Sequence, residues 1–197
     1  VWSTQALSLQ ALRPIQPLLK VFGNFQNLLE SSQRDALTGL LNRQTFDSTF
    51  LKASMPVATD APQVPAGERR TKAVTGYWLG VVDIDHFKRI NDRFGHAVGD
   101  SVLKMVTATL SAVSRPFDLV ARWGGEEFVV IVAKVAPESL EQIANRFRIL
   151  VAKSGLKTRG KPLGVTISIG ATIVEPADDQ KSLIDRADSL LYAAKNA

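Results

Sequence analysis

Apolar positions change their rhythm along the chain, and the changes mark the elements. Ile15, Leu18, Phe22, Phe25 and Leu29 fall at alternating three- and four-residue steps, the spacing that lines one side of a helix and forms a coiled-coil seam when paired. Pro14 and Pro17 place the start of a clean helix at about Pro17, since a proline is tolerated in the first turn. Two heptads fit either a coiled-coil helix or an amphipathic helix packed on its own domain. Residues 34–43 then read as a turn leading into a helix through about Ala53. Residues 56–76 carry Pro56, Pro62, Pro65, Gly67 and the charged run Glu68-Arg69-Arg70, the composition of a solvated, mobile loop.

Beyond this loop the pattern becomes regular. Tyr77 to Ile84 is a short apolar run and reads as a buried strand; His86 to Phe94 is a short helix. Asp100 to Val113 forms a longer helix with Val102, Leu103, Val106 and Leu110 on one face. Phe117 to Trp123 and Glu127 to Ala133 are strands flanking Gly124-Gly125, which reads as a hairpin. A helix from about Pro137 to Lys153, a strand from Val165 to Val174 and a helix from Lys181 to Asn196 complete the chain. The order β-α-α-β-β-α-β-α predicts an α+β fold, with helices flanking a largely antiparallel central sheet.

Composition narrows the chemistry. The 197 residues suffice for one domain with an appendage, and 45% hydrophobic against 22% charged residues supports a packed core. The absence of cysteine excludes disulfides, thiolate zinc sites and a cysteine nucleophile. It leaves any metal to oxygen or imidazole ligands, and with His86 and His96 the only histidines a histidine-rich cage is excluded too. A net charge of +5 suits an anionic substrate but also describes an ordinary soluble surface. No apolar run reaches the roughly 18 residues of a membrane span. Because the chain opens on Val1 without a signal-peptide pattern, it reads as part of a longer protein, with a sensor or membrane region upstream.

Two acidic clusters stand out: Asp83-Ile84-Asp85 at the end of an apolar strand, and Glu126-Glu127 at the hairpin. Carboxylates crowded at strand ends repel each other unless a cation lies between them, and hard oxygen ligands select magnesium or manganese. Either cluster alone is more often a solvated turn, and it is the two on adjacent elements of one small sheet that favour a metal. Lys88 opens the helix after the first cluster, where free N–H groups favour phosphate, and Asn91 lies one turn further on the same face. Asp100 fits either a ligand contact or the N-cap of the following helix.

The block Asp83-Ile84-Asp85-His86-Phe87-Lys88-Arg89-Ile90-Asn91-Asp92, then Gly95-His96-Ala97-Val98-Gly99-Asp100, then Arg122-Trp123-Gly124-Gly125-Glu126-Glu127-Phe128 resembles the GGDEF family in its GGEEF form. Residues 35–43 match that family's DxLTGLxNR entrance, and Leu191-Tyr192-Ala193-Ala194-Lys195 its closing helix. The resemblance covers about residues 34–197, leaving residues 1–33 as an N-terminal signalling and dimerisation helix. It implies a nucleotidyl cyclase-like, palm-like fold and a diguanylate cyclase that condenses two GTP into cyclic di-GMP and two pyrophosphates across a homodimer. Two Mg2+ (or Mn2+) ions per site are implied, as is a cytoplasmic location for the catalytic domain. No nucleic-acid partner is implied.

Residue by residue, the resemblance implies metal ligation by Asp83, the Ile84 carbonyl and Glu127, with Glu126 as general base or as a further ligand. Lys88, Lys195 and the backbone N–H groups of His86 and Phe87 match triphosphate contacts. Asn91 and Asp100 match guanine readers, and His96 lies in the same substrate block. A carboxylate accepts from guanine N1–H and N2–H side by side, whereas adenine N1 would face its lone pairs. Arg115 and Asp118 form an RxxD, with five residues between it and Gly124, that matches an inhibitory product site, with Arg146 as its second arginine. The same RxxD also fits a plain helix-to-strand connector.

Two other classes compete with an active enzyme. A binding module that has lost turnover would lack one of the key acids, yet Asp83, Glu126, Glu127, Lys88, Asn91 and Asp100 are all present. A polymerase palm would need fingers and thumb regions that 197 residues do not accommodate.

Overall fold

The computed structural model describes residues 15–54, 76–175 and 177–196. Along the chain, helix α1 (Gln16–Gln33), strand β1 (Leu41–Asn42) and helix α2 (Arg43–Ser54) come first. Strand β2 (Gly76–Ile84) then leads into helices α3 (Phe87–Phe94) and α4 (His96–Val113). Strands β3 (Leu119–Gly124) and β4 (Glu127–Val135) form a hairpin, followed by helix α5 (Pro137–Ala152) and the short strands β5 (Lys157–Thr158) and β6 (Lys161–Pro162). Strand β7 (Ile167–Ile173) and helix α6 (Gln180–Lys195) close the fold. Among the described residues no helix is long and apolar enough to cross a membrane.

The main sheet has the order β1-β3-β4-β2-β7; β1 runs parallel to β3 and every other pair is antiparallel. Strand β2 is covered on both faces, so every residue from Leu79 to Ile84 is buried, Asp83 included. That is why it appears in the sequence as an unbroken apolar run rather than an alternating one. On one face Val82, Ile84, Phe128 and Val130 meet Val102, Val106 and Leu110 of α4 and Phe147 and Val151 of α5. On the other, Leu79, Val81, Ala121 and Val129 meet Phe46 of α2 and Leu183, Ala187 and Leu191 of α6. The side chains of Asp83, Val81 and Leu79 alternate with those of Val82 and Ile84, so Asp83 points to the α6 side.

Several boundaries differ from the sequence reading, each for a local reason. The segment before α2 contains a strand, because Leu41 and Asn42 pair with Ala121 and Arg122 of β3. Helix α4 starts at His96 rather than Asp100: Gly95 alone breaks the chain, at φ +85, and the helix resumes at once. Asp100 therefore lies inside the helix and is not its N-cap. Strand β3 starts at Leu119, since Asp118 N–H donates back to the Arg115 carbonyl (2.9 Å) and leaves Phe117 86% exposed in the turn. The β5–β6 ribbon, turned by Arg159 and Gly160 at positive φ, has no apolar pattern to announce it. Apart from Gly76, which opens β2, the loop expected at 56–76 lies outside the described residues.

Helix α1 carries Pro17 in its first turn. Ile15, Leu18, Phe22, Phe25 and Leu29 are all exposed, so this seam does not pack on its own domain. The helix is nonetheless tied to the sheet, because Asn42 Nδ2 donates to the Ser32 carbonyl (2.7 Å) and Arg34 bridges to Leu41.

Strand β7 and helix α6 touch backbone to backbone at Gly170. A Cβ there would lie 2.2 Å from both the Ala187 carbonyl oxygen and the Leu191 nitrogen. Gly170→Ala is expected to destabilise the domain by about 3 kcal/mol, the upper range for overpacking, because neither backbone can yield. Urea unfolding of the two proteins checks it; a loss under about 1 kcal/mol would show that α6 can lift away from the strand.

Candidate active site

The register of the sheet brings the acidic clusters together. Asp83 on β2 sits directly opposite Glu127 on β4 and Ser168 on β7. Directly opposed residues of an antiparallel pair project to the same face, so the Asp83 and Glu127 carboxylates share the α6 side. Glu126 occupies the tip of the hairpin. Gly124 pairs with Glu127, which makes Gly125-Glu126 the two-residue turn, one position later than the glycine pair alone indicates. Gly125 adopts φ +49, where a side chain would be strained. A Cβ at Gly124 would meet nothing within 4 Å, so packing does not demand glycine there.

This concentration of charge perturbs the acids. Burial, followed by the field of Asp83, pushes the Glu126 carboxyl above the usual carboxylate range, and Lys195 partly opposes the rise. Glu127 is raised by burial, then by Asp83, Asp188 and Glu126, again against Lys195. Asp83 is 6% exposed. Its Oδ1 receives no well-directed hydrogen bond but lies 2.6 Å from Lys195 Nζ at the end of α6. An ammonium thus sits on the carboxylate that most needs a cation.

A divalent cation fits this donor set in charge and in kind. Three crowded carboxylates, one buried with an oxygen lacking a hydrogen-bond donor, are the hard ligands that magnesium or manganese prefers. Among the described residues, however, no three acidic or imidazole groups form a ready-made cage, and Lys195 provides the positive charge at Asp83.

The β2–α3 turn is held from β7. Asp85 N–H donates to the Thr166 carbonyl (3.0 Å), and its carboxylate accepts from Thr166 Oγ1 (2.6 Å) and Ser168 Oγ (2.7 Å). His86, at φ +56, precedes α3, and no side chain caps that helix. Its first N–H groups therefore remain available to an anion. His86 and Lys195 both line a pocket of ≈540 Å³ beside this turn, together with Asp85, Thr166, Ser168 and Arg148.

The expected base-reading residues form a second group on α3 and α4. Lys88, His96 and Asp100 are exposed. Asn91 Oδ1 is buried without a hydrogen-bond partner and packs against Gly99, where a Cβ would come within 1.9 Å of it. Gly99 thus makes room for the Asn91 carboxamide, a role its spacing in sequence does not reveal.

The expected inhibitory residues are engaged with one another. Arg115 Nε and Nη2 donate to the Asp118 carboxylate (3.2 and 3.1 Å), and Nη2 also donates to the Ala133 carbonyl on β4 (2.7 Å). Asp118 accepts from the N–H groups of Arg115 and Ala133. Burial would raise its carboxyl, but these hydrogen bonds outweigh it and hold the group below its usual range. The pair thus serves as a connector between α4 and the hairpin, with Arg115 half exposed and Arg146 exposed on α5.

Sequence reasoning missed the role of Arg122. Its Nη1 donates to both Asp35 oxygens (2.9 and 3.0 Å), while Nε and Nη2 donate to the Gly125 carbonyl (3.2 and 2.7 Å). The next residue, Trp123, stacks under the Arg43 guanidinium at 4.3 Å and meets Phe46 edge-on at 5.6 Å. Asp188 was missed as well, although it stands seven residues before Lys195 and so on the same face of α6.

Residues 32–197 match the family model described as "Diguanylate cyclase, GGDEF domain". The chain belongs to the GGDEF family. It is 39% identical over 163 residues to diguanylate cyclase DgcP of Pseudomonas aeruginosa, covering 83% of this chain and 22% of that one. With diguanylate cyclase DgcM of Escherichia coli K12 it shares 35% identity over 171 residues, 87% of this chain and 38% of that. The chain therefore spans well under half the length of these relatives. The solved coiled coil and GGDEF domain of DgcB from Caulobacter crescentus, in complex with c-di-GMP, superposes with a TM-score of 0.79 at 28% identity. That match covers 98% of this chain and 95% of that one.

The raised glutamates have a consequence for stability. An acid whose folded pKa lies above its unfolded value destabilises the fold while charged, and the penalty is relieved as pH falls through the folded pKa. In chelator-treated protein, Glu127→Gln should raise the melting midpoint at pH 7 by roughly 2 °C, with the gap closing near pH 4. Parallel thermal melts at the two pH values test this; a lower midpoint at pH 7 would mean the Glu127 charge stabilises the fold.

Proposed function

We propose that this domain is a diguanylate cyclase, condensing two GTP into cyclic di-GMP with release of two pyrophosphates. The observation that carries the proposal is the cross-strand pairing of Asp83 with Glu127, with Glu126 at the turn beside them and Lys195 on the buried carboxylate. Asp83, Glu127 and the Ile84 carbonyl would hold divalent metal, Mg2+ or Mn2+ in two sites. When bound, the metal supplies neutralisation of phosphate charge and acidification of a coordinated hydroxyl.

The chain's own groups do the rest. Glu126, with its carboxyl raised, is suited to take the 3′-hydroxyl proton as that oxygen attacks the α-phosphate of the other GTP. Lys88, Lys195 and the free N–H groups at His86 and Phe87 bind the phosphates. Asn91 and Asp100 read guanine, with the unpartnered Asn91 Oδ1 available as an acceptor and His96 one turn before Asp100 on α4. Each domain holds one GTP, so two must face each other, and the exposed apolar seam of α1 suits a second copy of the same helix. The catalytic domain works in the cytoplasm, with a sensor or membrane region upstream.

Product would bind at Arg115, Asp118 and Arg146. For that, Arg115 must turn part of its fork from Asp118 and the Ala133 carbonyl toward the product's phosphates.

With magnesium, the protein should turn over GTP to cyclic di-GMP and leave ATP untouched, and Asp83→Ala should lower the rate at least about a thousandfold while remaining folded. Product identification by chromatography and circular dichroism of the variant check this. Equal use of ATP, or a tenth of the original rate in the variant, would overturn the site assignment.

Arg115→Ala should weaken cyclic di-GMP binding at least about tenfold in calorimetry and leave the initial rate near normal. Unchanged affinity would assign Arg115 and Asp118 to the connector alone.

A further inference from the structure

The pocket beside the β2–α3 turn has a wall that the proposed chemistry leaves unused. Arg148, Ile149 and Ala152, from the last turns of α5, face a space of ≈540 Å³ that His86, Lys195, Thr166 and Ser168 also line. Because α5 packs on one face of the sheet and α6 on the other, Arg148 and Lys195 reach this space from opposite sides of the β7 edge. Building on the diguanylate cyclase reading, we propose that Arg148 is a phosphate-binding residue. With Lys195, it holds the terminal phosphates of the bound nucleoside triphosphate and the pyrophosphate that leaves.

Arg148 is not committed elsewhere. Arg115, Arg122 and Arg186, which brace the fold, each sit on an aspartate within 3.1 Å. Among the described residues Arg148 donates only to Asn145 on its own helix, through Nη1 at 3.0 Å, and none of the ion pairs includes it. Its Nη2 and Nε face of the fork remains open, the geometry that matches two oxygens of one phosphate.

The acid in the pocket does not oppose an anion as strongly as its presence implies. Both Asp85 oxygens already accept short hydroxyl hydrogen bonds, from Thr166 at 2.6 Å and Ser168 at 2.7 Å. Those two hydroxyls are thereby committed to Asp85. Arg148 therefore faces one satisfied carboxylate, while Lys195, which also lines the space, shares its charge with Asp83.

The wider charge distribution has the same sign. Between Gln142 and Val174 stand Arg146, Arg148, Lys153, Lys157, Arg159 and Lys161, and not one Asp or Glu. This single span holds six positive charges in a chain whose net charge is +5, and it forms the connection between two walls of the pocket. Such a field draws a polyanion and disfavours a neutral or cationic ligand. The volume falls within the range of small-molecule sites, ample for two or three phosphate groups.

Arg148→Ala and Arg148→Lys should be compared with the unaltered full chain by calorimetry, in magnesium, against a non-hydrolysable GTP analogue, GMP and inorganic pyrophosphate. Arg148→Ala should weaken the triphosphate analogue and pyrophosphate about tenfold or more and leave GMP unchanged, with Arg148→Lys recovering part of the loss. Equal losses for GMP and the triphosphate, or full affinity in Arg148→Ala, would overturn the proposal while the cyclase reading stands. If the unaltered protein binds none of the three, both fall together.

Discussion

The Arg122 guanidinium is shared between two partners far apart in sequence, and the acidic end of the sheet is built around it. One edge of the fork grips the Asp35 carboxylate just after α1, and the other holds the Gly125 carbonyl in the turn that presents Glu126. Burial would raise the Asp35 carboxyl, yet hydrogen bonds from Thr38 and Arg122 outweigh it and keep the group charged well into acid. The clamp is therefore present at neutral pH and weakens only as pH falls through that depressed value. Held by the carboxylate on one side and the carbonyl on the other, the partly buried guanidinium fixes direction as well as distance. The orientation of α1 and that of the acidic turn are joined by one side chain.

Around that clamp the structure carries electrostatic strain. Three carboxylates converge at the ends of β2 and β4, and two are pushed upward by burial and by their neighbours. A fold optimised for stability alone would separate them. Lys195 offsets part of the repulsion, and the compensation comes from the last turn of the final helix, where a cation also suits the helix dipole. Elsewhere partly buried charges are conventionally matched, as with Arg186 of α6, which grips Asp178 and the Ile173 carbonyl.

Much of this was legible in the sequence. The apolar run of β2 announced a strand covered on both faces, and the stripe of Val102, Leu103, Val106 and Leu110 announced the buried side of α4. The acids of the site were visible because carboxylates at the end of an apolar run are out of place unless they have work to do. What could not be read depended on three-dimensional pairing. Strand β1 exists only because Leu41 lies beside Ala121, and two residues carry no period. Asn91 needs Gly99 eight residues along the chain, a dependence of shape rather than of spacing. The tie between Asp35 and Arg122 spans 87 positions, which no local pattern records.

Gly170 sets a mechanical tolerance. With the α6 backbone resting directly on β7, the helix has no clearance along which to slide, and β7 is in turn locked to β2 with Gly170 opposite Val81. Lys195 and Asp83 are thus mounted on one frame, like two jaws machined from a single block. Any event that parts the ammonium from the carboxylate must proceed by rotation about side-chain bonds or by fraying of the final turn. Such motions take nanoseconds, whereas helix register shifts take microseconds or longer. The electrostatic latch at Asp83 can open and close many times within any slower motion of the helix itself.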